Sequence, residues 1–231
     1  MIFIGSERDK NADDNVWSLK ELRAAVKSKV GNPHQIISVI NSIHRLSGVF
    51  IYHLEQARES INNPDFFDSE DGGLRFVVGS DSDQENFQTA LLINEANTIS
   101  LLYTVRSLYD IFSQLLNSLV LNGKYRLHEC DIKRVYEDLS ESEIKQLLAK
   151  LLSSYEFKYI DGFVNCSKHR HLVAQNVYFS FGDGRSGVKF SNFSYKGEPY
   201  SEQWSEDILH HAVYVKNHIR MLGCLLNKEY I

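Results

Sequence analysis

The sequence predicts a mainly α fold: an antiparallel helical bundle with long helices and a β-hairpin inserted before the last helix. Three observations predict it. Three segments repeat apolar residues at alternating spacings of three and four over many turns, the mark of helices with one buried face. Only three prolines, Pro33, Pro64 and Pro199, interrupt the chain of 231 residues, so long helices are permitted. Between about 174 and 197 the pattern switches to alternation around a glycine-rich turn.

The elements follow in order. Val16, Leu19, Leu22 and Val26 recur at helical spacing among basic residues, which predicts a short amphipathic helix over 15–29. Pro33 then precedes a stripe of Ile36, Ile40, Ile43, Ser47, Phe50, Leu54, Ala57 and Ile61. That is a helix of roughly seven turns, with proline where a missing N–H costs nothing; Asn62-Asn63-Pro64 ends it. The segment "LRFVV", 74–78, reads as a short strand or an ordered loop. Ser82 and Glu85 form an S-x-x-E capping box ahead of the longest stripe, Leu91, Asn94, Thr98, Leu101, Val105, Leu108, Phe112, Leu115 and Leu119. Gly123 closes that helix. Ser140 and Glu143 form a second box before "IKQLLAKLLSSY". Residues 155–170 extend as a further helix with Tyr159, Phe163 and Cys166 on one side. "NVYFSF" and "GVKFSNFSYKG" are two strands joined through Gly182-Asp183-Gly184. Trp204, Ile208, Ala212, Val215, Ile219, Leu222 and Leu226 make the last long helix, over about 201–228. No repeat, low-complexity tract or linker divides the chain, so residues 1–231 read as one domain.

Composition bounds the function. The three cysteines, Cys130, Cys166 and Cys224, are far apart and odd in number, which argues against a disulfide scaffold and a zinc site and suits a reducing cytosol. No signal-peptide pattern opens the chain and no apolar run spans a bilayer. The expectation is a cytoplasmic protein with no membrane partner. There is no GxxxxGK[ST], HExxH, GxSxG or strand-linked GxGxxG, and no metal or cofactor is expected. Asp81, Asp83 and Glu85 are too short in register for a calcium loop. His210, His211 and His218 lack ligand spacing and read as helix-surface or boundary residues.

Charge is unevenly spread. The formal net charge is −5, and residues 65–85 carry seven acids and one arginine. Residues 156–196 carry six Lys or Arg against three acids, with His169 and His171 among them. "FVNCSKHRHLV", 163–173, places Asn165, Lys168, His169 and Arg170 within six residues. An imidazole moves protons near neutral pH, and a guanidinium binds phosphate oxygens bidentately. The set suits attack of a ribose 2′-hydroxyl on its adjacent phosphate, which needs an acid, a base and a cation but no metal. The alternative is that Lys168 and Arg170 serve a helix C-terminus, where cations are favoured, and the histidines bond nearby backbone. A second polar stripe, Tyr103, Arg106, Asp110, Ser113 and Asn117, lies opposite the apolar seam of the longest helix. Arg106 and Asp110 are i, i+4 partners; facing a cleft, Arg106 becomes a second phosphate ligand and Asp110 orients a histidine.

"RSLYDIFSQLLNSL" followed by "YIDGFVNCSKHRHLV" resembles the HEPN superfamily, particularly a bacterial branch with a KHR motif after an aromatic helix. The resemblance covers roughly residues 34–228 in element order, and its sharp part spans about thirty residues. It implies a helical bundle, commonly a homodimer, that acts as a metal-independent ribonuclease in toxin–antitoxin or phage-defence systems. The alternative it implies is a non-catalytic module binding nucleotide, RNA or a partner protein of antitoxin type. The typical signature runs Arg, a polar residue, then His. Here Asn165 stands at its start, with His169 four residues on and Arg170 after it. Only Lys168, His169 and Arg170 carry over from the resemblance, with Asn165 as their polar companion; these four are the catalytic candidates, and Arg106, Asp110, Tyr103 and His171 are the supporting residues read from the sequence itself. The resemblance does not account for the hairpin at 174–197, which reads as an insertion or a cover over the site.

Overall fold

A computed structural model describes residues 16–61, 80–179 and 186–231. Seven α-helices stand among them: α1 (Leu19–Lys29), α2 (His34–Ile61), α3 (Asp81–Leu119), α4 (Ile132–Asp138), α5 (Glu143–Ser153), α6 (Tyr155–His169) and α7 (Ser205–Tyr230). Five short strands separate α6 from α7: β1 (Gln175–Phe179), β2 (Ser186–Phe190), β3 (Phe193–Tyr195), β4 (Glu198–Tyr200) and β5 (Gln203–Trp204). The mainly α class holds. Among the described residues, no helix is long and apolar enough to cross a membrane.

The 39-residue α3 is the axis. Its predicted seam is the buried one: Asn94, Thr98, Leu101, Val105, Leu108, Phe112 and Leu115 are buried. The stripe opposite is buried in part as well, at Ser113 and Asn117, with Tyr109 buried beside it, because α3 is packed on several sides while α2 is not. The long helices alternate in direction. Asn94 bonds the Ala57 carbonyl and His53 meets Asn97, so α2 runs against α3. Lys168 lies over Tyr103 while Phe157 packs on Tyr109, so α6 also opposes α3. Ser205 reaches Asn94, and Leu108 shares a groove with Ile219, so α7 runs parallel to α3.

One buried amide holds four elements together. The Asn94 Nδ2 donates to the Ala57 carbonyl at 3.0 Å and to Ser60 Oγ at 3.3 Å. Its Oδ1 accepts from Ser205 Oγ at 2.9 Å and from Gln175 Nε2 at 2.6 Å. A polar residue within an apolar seam is tolerated because every group is satisfied.

Three boundaries differ from the sequence reading. The box that caps α3 is Ser80 with Asp83, two residues before Ser82; both boxes exist in the sequence, and the earlier one adds helix while placing Asp81 and Asp83 in the first turn, where the helix dipole favours acids. Helix α5 is capped by Ser142, which accepts from the Lys145 N–H, and not by Ser140. Helix α7 begins at Ser205, because Gln203 and Trp204 pair with β2. The segment 74–78, the turn at Gly182–Gly184 and most of the acidic stretch lie outside the described residues. His218, expected at the surface or boundary, is 8% exposed, with Nδ1 at 3.1 Å from the Tyr214 carbonyl.

The β region is more than one hairpin. β1 and β2 are antiparallel, β5 extends them, and "GVKFSNFSYKG" breaks after Phe190 so that β3 pairs with β4 in a second sheet. Lys196 and Gly197 turn that second hairpin with φ of 52° and 86°, the positive-φ pair of a tight two-residue loop. The hairpin is seated on α6 by aromatic packing. Phe193 stacks on Tyr200 at 4.8 Å, and the Tyr200 hydroxyl donates to the Lys158 carbonyl at 3.1 Å. Gly162 makes room for this: a Cβ there would lie 2.9 Å from a ring carbon of Tyr200.

Candidate functional site

A cleft of about 290 Å³ opens between α3, α4, α6 and the tip of the β3–β4 hairpin. Its floor is a network around Arg106. The Arg106 Nε donates to Asp110 Oδ2 at 3.0 Å, and its Nη1 pairs with Asp161 Oδ1. The same nitrogen donates to the Tyr109 hydroxyl at 2.7 Å, which donates onward to Asp161 at 3.3 Å. Asn165 Nδ2 bonds both the Asp161 carbonyl, at 2.7 Å, and its carboxylate, at 3.1 Å. Lys133 of α4 stands 3.6 Å from Asp161 Oδ2.

These contacts come from local helix geometry. Arg106, Tyr109 and Asp110 lie on one face of α3 at spacings of three and four. Asp161 and Asn165 are one turn apart on α6 and face them. Ser154 starts α6 by accepting the Phe157 N–H. Asp131 starts α4 by accepting the N–H groups of Lys133 and Arg134.

The electrostatics are those of two acids sharing one cation. Burial works against the Arg106 charge, yet Tyr109, Asp110 and Asp161 together drive its pKa upward. Burial raises the Asp110 carboxyl, and the Arg106 charge offsets this only in part, with the Asp161 charge adding to the rise. Burial, then the Asp161 charge, pushes the Tyr109 phenol well above its ordinary value, so it stays a neutral hydrogen-bonding group. Three cations, Arg106, Lys133 and Lys196, and three acids, Asp110, Asp131 and Asp161, line the cleft. Among the described residues no group of three His, Cys, Asp or Glu side chains is placed to hold a metal ion.

The expected site residues divide into two groups. Arg106, Asp110 and Asn165 line the cleft. Lys168, His169, Arg170 and His171 are exposed where α6 ends. Lys168 holds its ammonium 5.1 Å from the half-buried Tyr103 ring, and its charge reaches Asp110. Arg170 Nη1 donates to the Ser194 carbonyl of β3 at 2.9 Å, so it ties the hairpin and not the end of its own helix. His171 Nε2 lies 3.9 Å from Cys166 Sγ. Asp110 bonds Arg106 and orients no histidine, and among the described residues no histidine lines the cleft. His169 is one turn beyond Asn165 on the stripe Asp161, Asn165, His169, at the last residue of α6, where it is exposed and is not among the residues that line the cleft.

The sequence reading did not single out Tyr109, Asp131, Lys133, Asp161, Tyr195 or Lys196. Asp161 had a signal: four residues before Asn165, on the face opposite Tyr159, Phe163 and Cys166. Lys196 had one in the Lys-Gly turn. Tyr109 was concealed in an apolar run, and Lys133 lies in a segment without long periodicity.

No family model, curated protein or solved structure matches this chain.

Proposed function

We propose that the chain is a HEPN-like helical module that binds RNA or a nucleotide at the cleft floored by Arg106 and at the cationic end of α6 beside it. One observation carries this reading. Lys168 and Arg170 both engage residues next to the cleft, Lys168 through Tyr103, one turn from Arg106 on α3, and Arg170 through Ser194 of the hairpin whose tip lines it. Lys168 thus adds its charge beside an open hollow that Arg106 of α3, Lys133 of α4 and Lys196 of the hairpin line with cations from three elements, as phosphate recognition requires. The carboxylate-bound Arg106 favours binding over catalysis: it is a donor anchored to Asp110 and Asp161, and among the described residues no histidine lines the cleft beside it.

Fluorescence anisotropy with a labelled single-stranded RNA, titrated over salt, tests the reading. Affinity should fall steeply with salt, since released counterions drive phosphate binding, and Lys168→Ala should weaken it. Absence of salt-sensitive binding to RNA or nucleotide would falsify it.

A metal-independent ribonuclease is the second reading, favoured by the exposed His169 on the stripe of Asn165. It requires a second copy of the chain to bring an acid–base partner to the cleft. It predicts RNA cleavage in EDTA leaving a 2′,3′-cyclic phosphate, abolished in His169→Ala, and a dimer in sedimentation.

A further inference from the structure

Two non-glycine residues among those described have positive φ, Asn122 at 53° and Lys196 at 52°. Asparagine is the expected residue for that conformation after glycine, since its short polar side chain tolerates it. Lysine is not, and at the first central position of a tight hairpin turn Asn, Asp or Gly is preferred. Holding lysine there costs on the order of 1 kcal/mol. The strained residue is at the hairpin tip, and it lines the cleft across from Arg106.

The turn is fixed from both sides. Arg170 grips the Ser194 carbonyl two residues before Lys196. Tyr200 packs into the space left by Gly162, and its hydroxyl bonds the Lys158 carbonyl. The neighbouring Tyr195, also on the cleft wall, has its ring 5.4 Å from the Lys196 ammonium. The hollow thus offers an aromatic wall, two lysines less enclosed by carboxylates than Arg106, and an acceptor at Asp110. Those groups match the parts of a nucleotide: base, phosphate, and ribose hydroxyls or exocyclic amines. The volume of about 290 Å³ is at the lower end of ligand sites, which suits one nucleotide and excludes a duplex.

We infer that Lys196 is the phosphate-contacting residue of a one-nucleotide subsite for single-stranded RNA, and that Arg170 is a positioning residue holding the hairpin tip in place. This rests on the binding reading above and assigns its residues.

The test is Lys196→Asn, which suits the positive φ and removes the cation. The melting temperature should stay level or rise. Affinity for a fluorescein-labelled single-stranded RNA dodecamer should drop about five- to tenfold, and the slope of log affinity against log salt should shrink by about 0.7, one single-strand phosphate. AMP at millimolar concentration should compete with the RNA on the wild type, and inorganic phosphate should compete less. Because Arg170 acts through the tip, the Arg170→Lys/Lys196→Asn double variant, which keeps the charge at 170 but loses the guanidinium bond to the Ser194 carbonyl, should bind no worse than Lys196→Asn alone. Unchanged affinity and salt slope in a folded Lys196→Asn, with Lys168→Ala still weakening binding, would overturn the subsite and leave the RNA reading standing. Failure of AMP to compete would also overturn the subsite. Additive losses in the double variant would overturn the positioning role of Arg170. A wild-type protein that binds no RNA would overturn both readings.

Discussion

Asp161→Asn should make the protein less stable and its grip on RNA tighter. Asp161 is the hub of the cleft floor, receiving bonds from Arg106, Tyr109 and Asn165 with Lys133 nearby. Its side chain is 14% exposed, so solvent screens it little. Asparagine keeps the shape and one acceptor oxygen but removes the charge. The bonds from Tyr109 and Asn165 then become neutral ones and the ion pair with Arg106 is reduced to a single charge-assisted bond, a loss of about 1.5–2 kcal/mol; Arg106 keeps Asp110, which limits the damage. Binding responds in the opposite sense. The cleft acids and cations balance three to three, so the variant leaves one excess cation. At roughly 8 Å from a bound phosphate and an effective dielectric of roughly 40, one unit charge is worth about 1 kcal/mol, or about fivefold in affinity. Urea unfolding reads the first effect, and RNA anisotropy at low salt reads the second. The gain should fade as salt is raised. A folded variant with unchanged or weaker RNA affinity would refute the claim that a polyanion enters this cleft.

Other outcomes follow from the packing. Gly223→Ala places a Cβ 2.1 Å from a Trp17 ring carbon; the helix-propensity gain of about 1 kcal/mol is outweighed by displacing the indole, so urea unfolding should show a net loss of about 1–2 kcal/mol and tryptophan emission should shift to the red. Asn94→Leu should cost about 3 kcal/mol, because the Ala57 carbonyl, Ser205 and Gln175 lose their buried partner; a loss under about 1 kcal/mol would show that the four-way junction is unimportant. His211 has its pKa lowered by burial, a shift that Glu156 and Asp207 oppose. Its Nε2 has no hydrogen-bond partner, and its ring packs on Tyr155 and Tyr159. The unfolded chain therefore takes up the proton more readily, so the contribution of this residue is intact above the unfolded pKa of about 6.5 and is lost as pH falls below it through the lower folded pKa. The melting temperature should decline from pH 7.5 toward 5, and His211→Leu should flatten that slope.

The helix stripes were legible because the seam of a helix repeats every three to four residues whatever it packs against. Ile40, Ile43, Phe50, Leu54 and Ala57 are buried on α2 as their spacing requires. Capping was legible in kind but not in position, since Ser80 and Ser82 both satisfy the same local pattern and only the packed helix selects between them. The second hairpin was not legible: alternation continues through "GVKFSNFSYKG", and the break after Phe190 arises where Phe193 and Tyr200 turn to pack on α6. Arg106 and Asp110 were readable as a pair because they are one helical turn apart. The partner that makes the pair a site, Asp161, lies 55 positions away from Arg106.

The sequence alone determined where the helices run, which faces they bury and where the cationic cluster falls, because periodicity and composition are properties of each segment. Only the tertiary structure decided that Arg106 meets Asp161, that Arg170 holds Ser194, and that Lys196 closes the cleft while His169 stands outside it. Those meetings depend on how each helix is rotated about its axis and how far it slides along its neighbour. Both are set by the fit of the whole core, and no local stretch of residues contains them.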